Sequence, residues 1–116
     1  MTISLKRAYE PPAKTDGMRI LIDRLWPRGL TKAKAGIDFW LKELAPSTEL
    51  RKWFGHDPEK WPEFQKKYRV ELKGNPVLSE LRKHCRDGDV TLVYAAKDEL
   101  HNDAVVLKQV LGRGAG

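Results

Sequence analysis

Residues that could bind an anion are concentrated in two short stretches of the chain. The first, residues 23–29, reads Asp-Arg-Leu-Trp-Pro-Arg-Gly and holds two arginines around a tryptophan. Guanidinium groups bind carboxylate or phosphate through paired hydrogen bonds, and an indole face stacks on a planar ring or a cation. The second stretch, residues 94–103, holds a lysine, a histidine and several acids. Together they predict a site for a small anion, namely phosphate, carboxylate or a nucleotide-like molecule.

Within the second stretch, His101 is a side chain able to exchange protons near neutral pH. We take His101 and Asp98 as the candidate catalytic residues, with helix capping as the other role open to Asp98. The candidate ligand-binding residues are Asp23, Arg24, Trp26, Arg28, Tyr94, Lys97 and Asn102. A purely structural role for the first stretch stays open, with Asp23 paired to Arg24 and Trp26 packed on the core. Whether any reaction takes place is equally open.

Two further acids near histidines allow a structural or a functional interpretation. Asp103 falls in the apolar stripe of the last predicted helix, where a carboxylate needs a partner, and Arg24 and Lys97 are the candidates. That group is either a structural ion-pair network or part of the site. His56-Asp57 is either a base with its orienting carboxylate or a helix stop followed by a helix cap.

Motifs for metals and common cofactors are missing from the sequence. The three histidines and single cysteine show no ligand spacing of the CxxC or HExxH kind, so we expect no metal site. There is no glycine-rich phosphate loop, no dinucleotide fingerprint and no nucleophile elbow. The sequence therefore names no cofactor.

The elements that must position these residues are two buried strands. Residues 90–94 form a continuous apolar and β-branched run, and residues 19–23 form another, as strands covered on both faces do. Residues 3–7 alternate as a half-exposed strand whose direction stays open. Because long helical crossovers join parallel strands, the first two should lie side by side with their carboxyl ends at one edge. Ligands bind at that edge in many α/β proteins.

Capping residues and helical spacing predict the intervening helices. Their expected ranges are 32–35 after Thr31, 39–44 after Asp38, 48–54 between Ser47 and Gly55, 62–72 after a tight turn at 58–61, and a helix carrying Val77, Leu78, Leu81 and Cys85. The last helix carries the stripe Leu100, Ala104, Leu107 and Leu111, with Gly112 as its left-handed cap. We therefore predict an α/β fold, residues 1–116 forming a single small domain with a mostly parallel short sheet flanked by helices.

Composition narrows the functional classes. The chain of 116 residues is 41% hydrophobic and 33% charged, which is ordinary for a soluble globular domain. Its net charge of +6 favours anionic partners. A single cysteine, Cys85, excludes an internal disulfide, and we expect it to be an inert packing residue in a cytoplasmic protein. No stretch resembles a signal peptide or a membrane span, so we expect no membrane partner.

Two other functions fit the same composition. A nucleic-acid-binding module would use the positive charge and exposed tryptophans, and needs a continuous basic stripe. That stripe would contain Lys66, Lys67, Arg69, Arg82 and Lys83, but Glu63, Glu71 and Glu80 interrupt it. A protein-interaction domain without catalysis would need an apolar surface patch. The oligomeric state is not indicated.

Four ordered motifs resemble one known family. They are the segments 23–29, 40–47 (Trp-Leu-Lys-Glu-Leu-Ala-Pro-Ser), 53–58 (Trp-Phe-Gly-His-Asp-Pro) and 92–98 (Leu-Val-Tyr-Ala-Ala-Lys-Asp) with His101-Asn102. The chain resembles, nearly end to end, the YeaO-like branch of the domain of unknown function 488 family. The resemblance implies a small bacterial or archaeal α/β domain and no assigned activity. Other branches have Cys-His-Arg early in the last helix, where this chain has His101-Asn102-Asp103, so no thiol mechanism carries over.

Overall fold

A four-stranded parallel sheet organises the computed structural model, which describes residues 2–114. The strands are β1 (Ile3–Arg7), β2 (Met18–Leu21), β3 (Phe39–Trp40) and β4 (Val90–Tyr94), in the spatial order β1-β4-β2-β3. The helices are α1 (Lys32–Ala35), α2 (Thr48–Phe54), α3 (Trp61–Lys73), α4 (Val77–Asp87) and α5 (Asp103–Gly114). Short 3₁₀ turns occupy Lys14–Asp16, Lys42–Leu44 and Pro58–Lys60. The predicted α/β class and parallel sheet are confirmed.

Strand β4 lies at the centre because it pairs in parallel with both β1 and β2. Val90 is the register partner of Ile3 on one side and of Met18 on the other. The two strands predicted to be neighbours are therefore neighbours, and the direction left open for the first strand is parallel. The carboxyl ends of β1, β2 and β4 meet at one edge of the sheet.

The two faces of the sheet are covered by different parts of the chain. Ile20 and Leu92 face the main core, which is completed by apolar residues of α2, α3, α4 and α5. Leu21 and Val93 point to the opposite face, where Trp26 and other residues of the segment after β2 cover them. All five residues of β4 are buried, as its unbroken apolar run predicted.

A buried ion pair lies on the second face of the sheet. Arg19 is only 3% exposed. Its guanidinium donates to the Asp16 carboxylate at 2.7 Å and to the Ala35 carbonyl at 2.8 Å, and Lys6 Nζ lies 3.2 Å from the same carboxylate. Three hydrogen bonds from the guanidinium connect β2 to α1 and to the turn before β2. Sequence analysis included Arg19 in the strand but did not find this ion pair.

Most predicted helix ends are confirmed, because local capping determines them. The Ser47 hydroxyl accepts from Leu50 N at 3.1 Å, and Gly55 ends α2 in the left-handed conformation at φ 54°. Thr31 caps α1 in the same way. Cys85, expected to be a buried packing residue, packs against the core from α4 but is only half-buried.

The helix predicted for residues 39–44 is wrong. Phe39–Trp40 instead form the edge strand β3, and a 3₁₀ turn follows. Asp38 N donates to the Arg19 carbonyl and Leu41 N donates to the Leu21 carbonyl, so pairing with β2 takes the backbone groups that a helix would have used. The Asp38 carboxylate, expected to cap the helix, accepts from Arg19 N at 2.8 Å instead.

The predicted bounds of the last helix are also wrong at both ends. Leu100, assigned to the apolar stripe, is 74% exposed and precedes α5. The Asn102 side chain accepts from Val105 N at 3.1 Å and so caps the helix two residues later than Leu100. Gly112 lies inside α5 and does not end it. Among residues 2–114 no helix is both long and apolar enough to cross a membrane.

Candidate functional site

A cleft of about 460 Å³ opens at the edge of the sheet where the strands end. It is formed by the segment after β2, the segment between β4 and α5, and parts of α2 and α3, with Tyr9 from the segment after β1. The polar residues that line it are Tyr9, Asp23, Arg24, Arg28, Arg51, His56, His101, Asn102 and Asp103. Its volume lies in the range that small-molecule sites occupy.

Three arginines of two different elements line this cleft. Arg24 and Arg28 are exposed residues of the segment after β2, and Arg51 comes from α2. The backbone of that segment is held in place, because Tyr9 Oη donates to the Arg28 carbonyl at 3.0 Å. Trp26 is fixed as well, since its Nε1 donates to the Leu30 carbonyl at 2.6 Å. The cleft therefore has a positively charged rim on an anchored backbone.

The carboxyl groups of Asp23 and Asp103 meet within the cleft. They lie near enough for each to shift the pKa of the other. Asp23 Oδ2 also accepts from Ala95 N at 2.9 Å, and Asp103 Oδ1 accepts from Ala104 N at 3.0 Å. The sequence predicted a cationic partner for Asp103, either Arg24 or Lys97. The structure instead places it against another acid, because the start of α5 points at the end of β2.

Burial and mutual repulsion keep this pair from losing both protons. Burial raises the pKa of Asp103 to about 8, and the charge on Asp23 adds to the effect. Burial also raises the pKa of Asp23, while the Ala95 N–H and the Arg51 guanidinium act in the opposite direction. Ionising both of two neighbouring carboxyl groups is unfavourable, so the pair holds one proton at neutral pH.

His101 and Asp98 form a second polar pair at the same site. The ring Nδ1 of His101 lies 2.9 Å from Asp98 Oδ2. Asp98 Oδ1 accepts from the backbone N–H groups of Leu100 and His101, so the carboxylate also closes the turn before α5. The hydrogen bond from His101, followed by that from Leu100 N, holds the pKa of Asp98 below its usual range. Trp61 fixes the ring from the side, edge-on at 5.2 Å between centroids.

Three of the predicted site residues lie outside the lining of the cleft. Tyr94 is buried in the main core. Lys97 is exposed on the segment after β4, and Asp98 reaches the cleft only through His101. The structure brings together the other six, which are Asp23, Arg24, Trp26, Arg28, His101 and Asn102. Asn102 is a structural member of the lining, because its side-chain amide donates to the Asp98 carbonyl at 2.9 Å.

The sequence did not point to Arg51, and it allowed His56 either a role as a base or a place in a helix stop followed by a helix cap. Arg51 lies far from both predicted stretches in the chain, and only the packing of α2 against the sheet brings it to the cleft. His56 has a positive φ of 57°, which is uncommon for a residue other than glycine. The signal available in the sequence was Gly55-His56 after a capped helix. Asp57 fills the structural role, since its side chain accepts from Glu59 N at 3.0 Å.

Aromatic and apolar side chains form the remaining wall of the cleft. Phe54 and Phe64 both line it and stack on each other at 4.4 Å between centroids. Trp26 lines the opposite part and contacts Trp40 edge-on at 5.6 Å. Within residues 2–114 no three acidic, histidine or cysteine side chains cluster in a way that could hold a metal ion. The cleft thus combines cationic, acidic and aromatic surfaces.

These features define a small α/β domain with a parallel sheet and a polar cleft at its carboxyl edge. Residues 2–114 match the family model described as the inactive DUF488-N3 subclade. The chain belongs to this family, and the family resemblance read from the sequence is confirmed.

Two bacterial relatives show the extent of the similarity. The chain is 42% identical over 108 residues to the uncharacterized protein YeaO of Escherichia coli (strain K12), covering 92% of this chain and 94% of the relative. It is 40% identical over 109 residues to the uncharacterized protein Rv3073c of Mycobacterium tuberculosis (strain H37Rv), covering 94% and 92%. No solved structure shows significant similarity to the chain.

Proposed function

We propose that the cleft binds a small anionic molecule carrying a phosphate or carboxylate group. The observation that carries the proposal is the convergence of Arg24, Arg28 and Arg51 on one cleft. Against their three positive charges, the Asp23–Asp103 pair holds one negative charge when it shares a proton. The balance at the cleft is therefore positive, which attracts anions and orients them for bidentate contacts.

Binding rather than catalysis is the function that this cleft supports best. The description of the subclade as inactive agrees with a binding role. His101, oriented by Asp98, is the residue that would exchange a proton with a bound ligand, and its place in the lining supports that role. We place this activity in the cytoplasm, since a single half-buried cysteine suits a reducing compartment.

Titration of the protein with propyl phosphate, followed by NMR chemical shifts, tests the proposal. We expect shifts at the backbone amides around Arg24, Ala95 and His101. Arg24→Ala should weaken binding about tenfold or more, the effect of losing one charge-assisted contact. Arg86→Ala is the matched control, because Arg86 is an exposed arginine on α4 outside the cleft.

The proposal fails if the wild-type protein shows no saturable shifts, or if Arg86→Ala weakens binding as much as Arg24→Ala does. Thermal melts of both variants check that Arg24 has no structural role. If a DNA or RNA oligonucleotide binds and the amides around Arg24, Ala95 and His101 do not shift, the nucleic-acid alternative is favoured instead.

A further inference from the structure

The Asp23–Asp103 pair is unsuited to binding an anion, because an ionised carboxylate repels phosphate and carboxylate groups. Both groups nevertheless line the cleft that the three arginines line. Both are held in fixed orientations by backbone N–H groups, that of Ala95 at 2.9 Å and that of Ala104 at 3.0 Å. A partly buried acid pair costs stability. Because both side chains line the cleft, they would contact any molecule that fills it.

We propose that the Asp23–Asp103 pair binds a hydrogen-bond-donating group, a hydroxyl or an ammonium, on the molecule whose anionic group the arginines bind. This inference rests on the proposed function and defines its ligand more closely. The ligand class is therefore a phosphorylated or carboxylated compound that carries a donor at a distance from its anionic group.

The donor and acceptor balance of the pair supports this ligand class. The two carboxyl groups have four oxygen atoms, of which two accept backbone N–H groups. The other two oxygen atoms accept no backbone N–H group, so acceptor capacity remains for a donor from the ligand. A phosphate ester with a purely apolar body would leave these acceptor oxygens without a hydrogen bond. It would also exclude water from them, which is unfavourable.

The size and walls of the cleft support a ligand with a body between its two polar ends. The volume of about 460 Å³ greatly exceeds that of a bare phosphate ion. Phe54 and Phe64 provide an apolar wall against which a short carbon chain or ring can pack. A molecule that reaches from the arginine rim to the acid pair would contact all three surfaces.

The two possible donors differ in what happens to the shared proton. A hydroxyl group leaves the proton on the pair, whereas an ammonium group favours the doubly ionised pair and releases the proton. The charged and titratable groups around the pair are Arg51 of α2, Tyr68 of α3, and Arg24, Arg28, His56 and His101 of the cleft. Proton release therefore reports on the donor type.

The experiment compares alkyl phosphates that differ only at the far end of the chain. Propyl phosphate has no donor, and the ω-hydroxy and ω-amino alkyl phosphates with two to four carbons carry one. Isothermal titration calorimetry at pH 7 gives their dissociation constants for the wild-type protein, for Asp103→Ala and for Asp87→Ala. Asp87 is an exposed acid on α4 outside the cleft and serves as the control.

We expect at least one donor-bearing phosphate to bind wild-type protein about tenfold more tightly than propyl phosphate. Asp103→Ala should abolish this preference and leave propyl phosphate binding equal or stronger, while Asp87→Ala keeps the preference. If the amine binds best, its enthalpy should depend on the ionisation enthalpy of the buffer more steeply than that of propyl phosphate, whose phosphate group also exchanges a proton near pH 7. Asp103→Asn should remove the difference. If the hydroxyl binds best, its dependence should equal that of propyl phosphate.

The failures of the two proposals can be told apart. Absence of any phosphate binding overturns the proposed function together with this inference. Binding of propyl phosphate as tightly as its hydroxyl and amino analogues overturns this inference alone, and so does a preference that survives in Asp103→Ala. Should Asp103→Ala fail to fold, Asp103→Leu, which has a side chain of similar size and no acceptor atom, takes its place with the same criterion of lost preference.

Discussion

Asp103, at the start of the last helix, lies beside Asp23, which follows the second strand, in the lining of one cleft. Two acids in contact form the polar centre of a cleft whose rim is basic. This arrangement is electrostatically unfavourable, because each carboxyl group opposes the ionisation of the other. It should therefore make the stability of the protein depend on pH.

The first prediction concerns the pH dependence that Asp103 imposes. Its pKa is about 8 in the folded protein against 3.8 for an ordinary aspartate, so the folded state holds a proton that the unfolded state has lost. Stability from this group is therefore fully present below pH 4 and is lost as the pH rises to about 8. Asp103→Asn should remove the loss and gain about 3–4 kcal/mol over wild type between pH 5 and pH 8.

Urea denaturation at pH 5 and pH 8 measures that difference, with Asp87→Asn as the exposed control. The control should show the same pH dependence as wild type. An Asp103→Asn variant with an unchanged difference from wild type at both pH values would contradict the prediction.

The second prediction concerns the buried ion pair of Asp16 and Arg19, at 2.7 Å. Arg19→Met leaves the Asp16 carboxylate buried without its main partner and should cost about 3–5 kcal/mol of unfolding free energy. Lys34→Met on the exposed face of α1 removes a cation without a buried partner and should change stability by less than about 0.5 kcal/mol. Chemical denaturation at pH 7 measures both variants.

The same pair predicts a loss of stability in acid. Burial raises the pKa of Asp16, but hydrogen bonds from Ala13 N, Arg19 and Lys6 outweigh it, so the pKa lies below its usual value. The stabilisation is present above the unfolded pKa of 3.8 and is lost as the pH falls through the folded pKa. The destabilisation caused by Asp16→Asn should therefore be larger at pH 6 than at pH 3. Equal destabilisation at both pH values would show that the charge of Asp16 is irrelevant.

The third prediction concerns the aromatic stack that forms one wall of the cleft. Phe64 is 2% exposed and stacks on Phe54 at 4.4 Å and on Trp61 at 5.6 Å. Phe64→Ala should cost about 3–5 kcal/mol through lost burial and the cavity left behind. Val70, on the same helix, is 68% exposed, and Val70→Ala should cost less than about 0.5 kcal/mol. Thermal and urea denaturation compare them, and similar losses would place Phe64 outside the core.

The fourth prediction separates two glycines that both have a positive φ. Gly17 has φ 66° and a Cβ built on it would overlap the Asp89 carbonyl oxygen, whereas Gly29 has φ 77° and open space around it. Gly29→Ala should cost about 1–2 kcal/mol from its left-handed conformation alone. Gly17→Ala should cost clearly more, because Met18 N bonds to the same Asp89 carbonyl and the start of β2 must shift. Equal melting temperatures for the two variants would refute this explanation.

Patterns local in the sequence predicted the parts of the fold that local physics determines. The apolar run 90–94 is buried on both faces, and Ser47 and Gly55 bound α2, because side-chain caps and backbone conformation act within a few residues. The segment 39–44 was predicted wrongly because its backbone groups pair with β2, a partner distant in the sequence. The stripe that included Leu100 failed for a local reason instead, because the Asp98 carboxylate accepts from Leu100 N and holds Leu100 in a turn before α5.

The sequence by itself determined the family, the parallel strands and the edge of the sheet at which a site should lie. It also identified six residues that line the cleft, because carboxyl ends of neighbouring parallel strands must meet. Only the tertiary structure brought Arg51 to that cleft and placed Asp103 beside Asp23 and not in an ion pair with Arg24 or Lys97. Helix α2 and the start of α5 are positioned by burial of their apolar faces, and that packing determines which charged groups meet regardless of their separation in the chain.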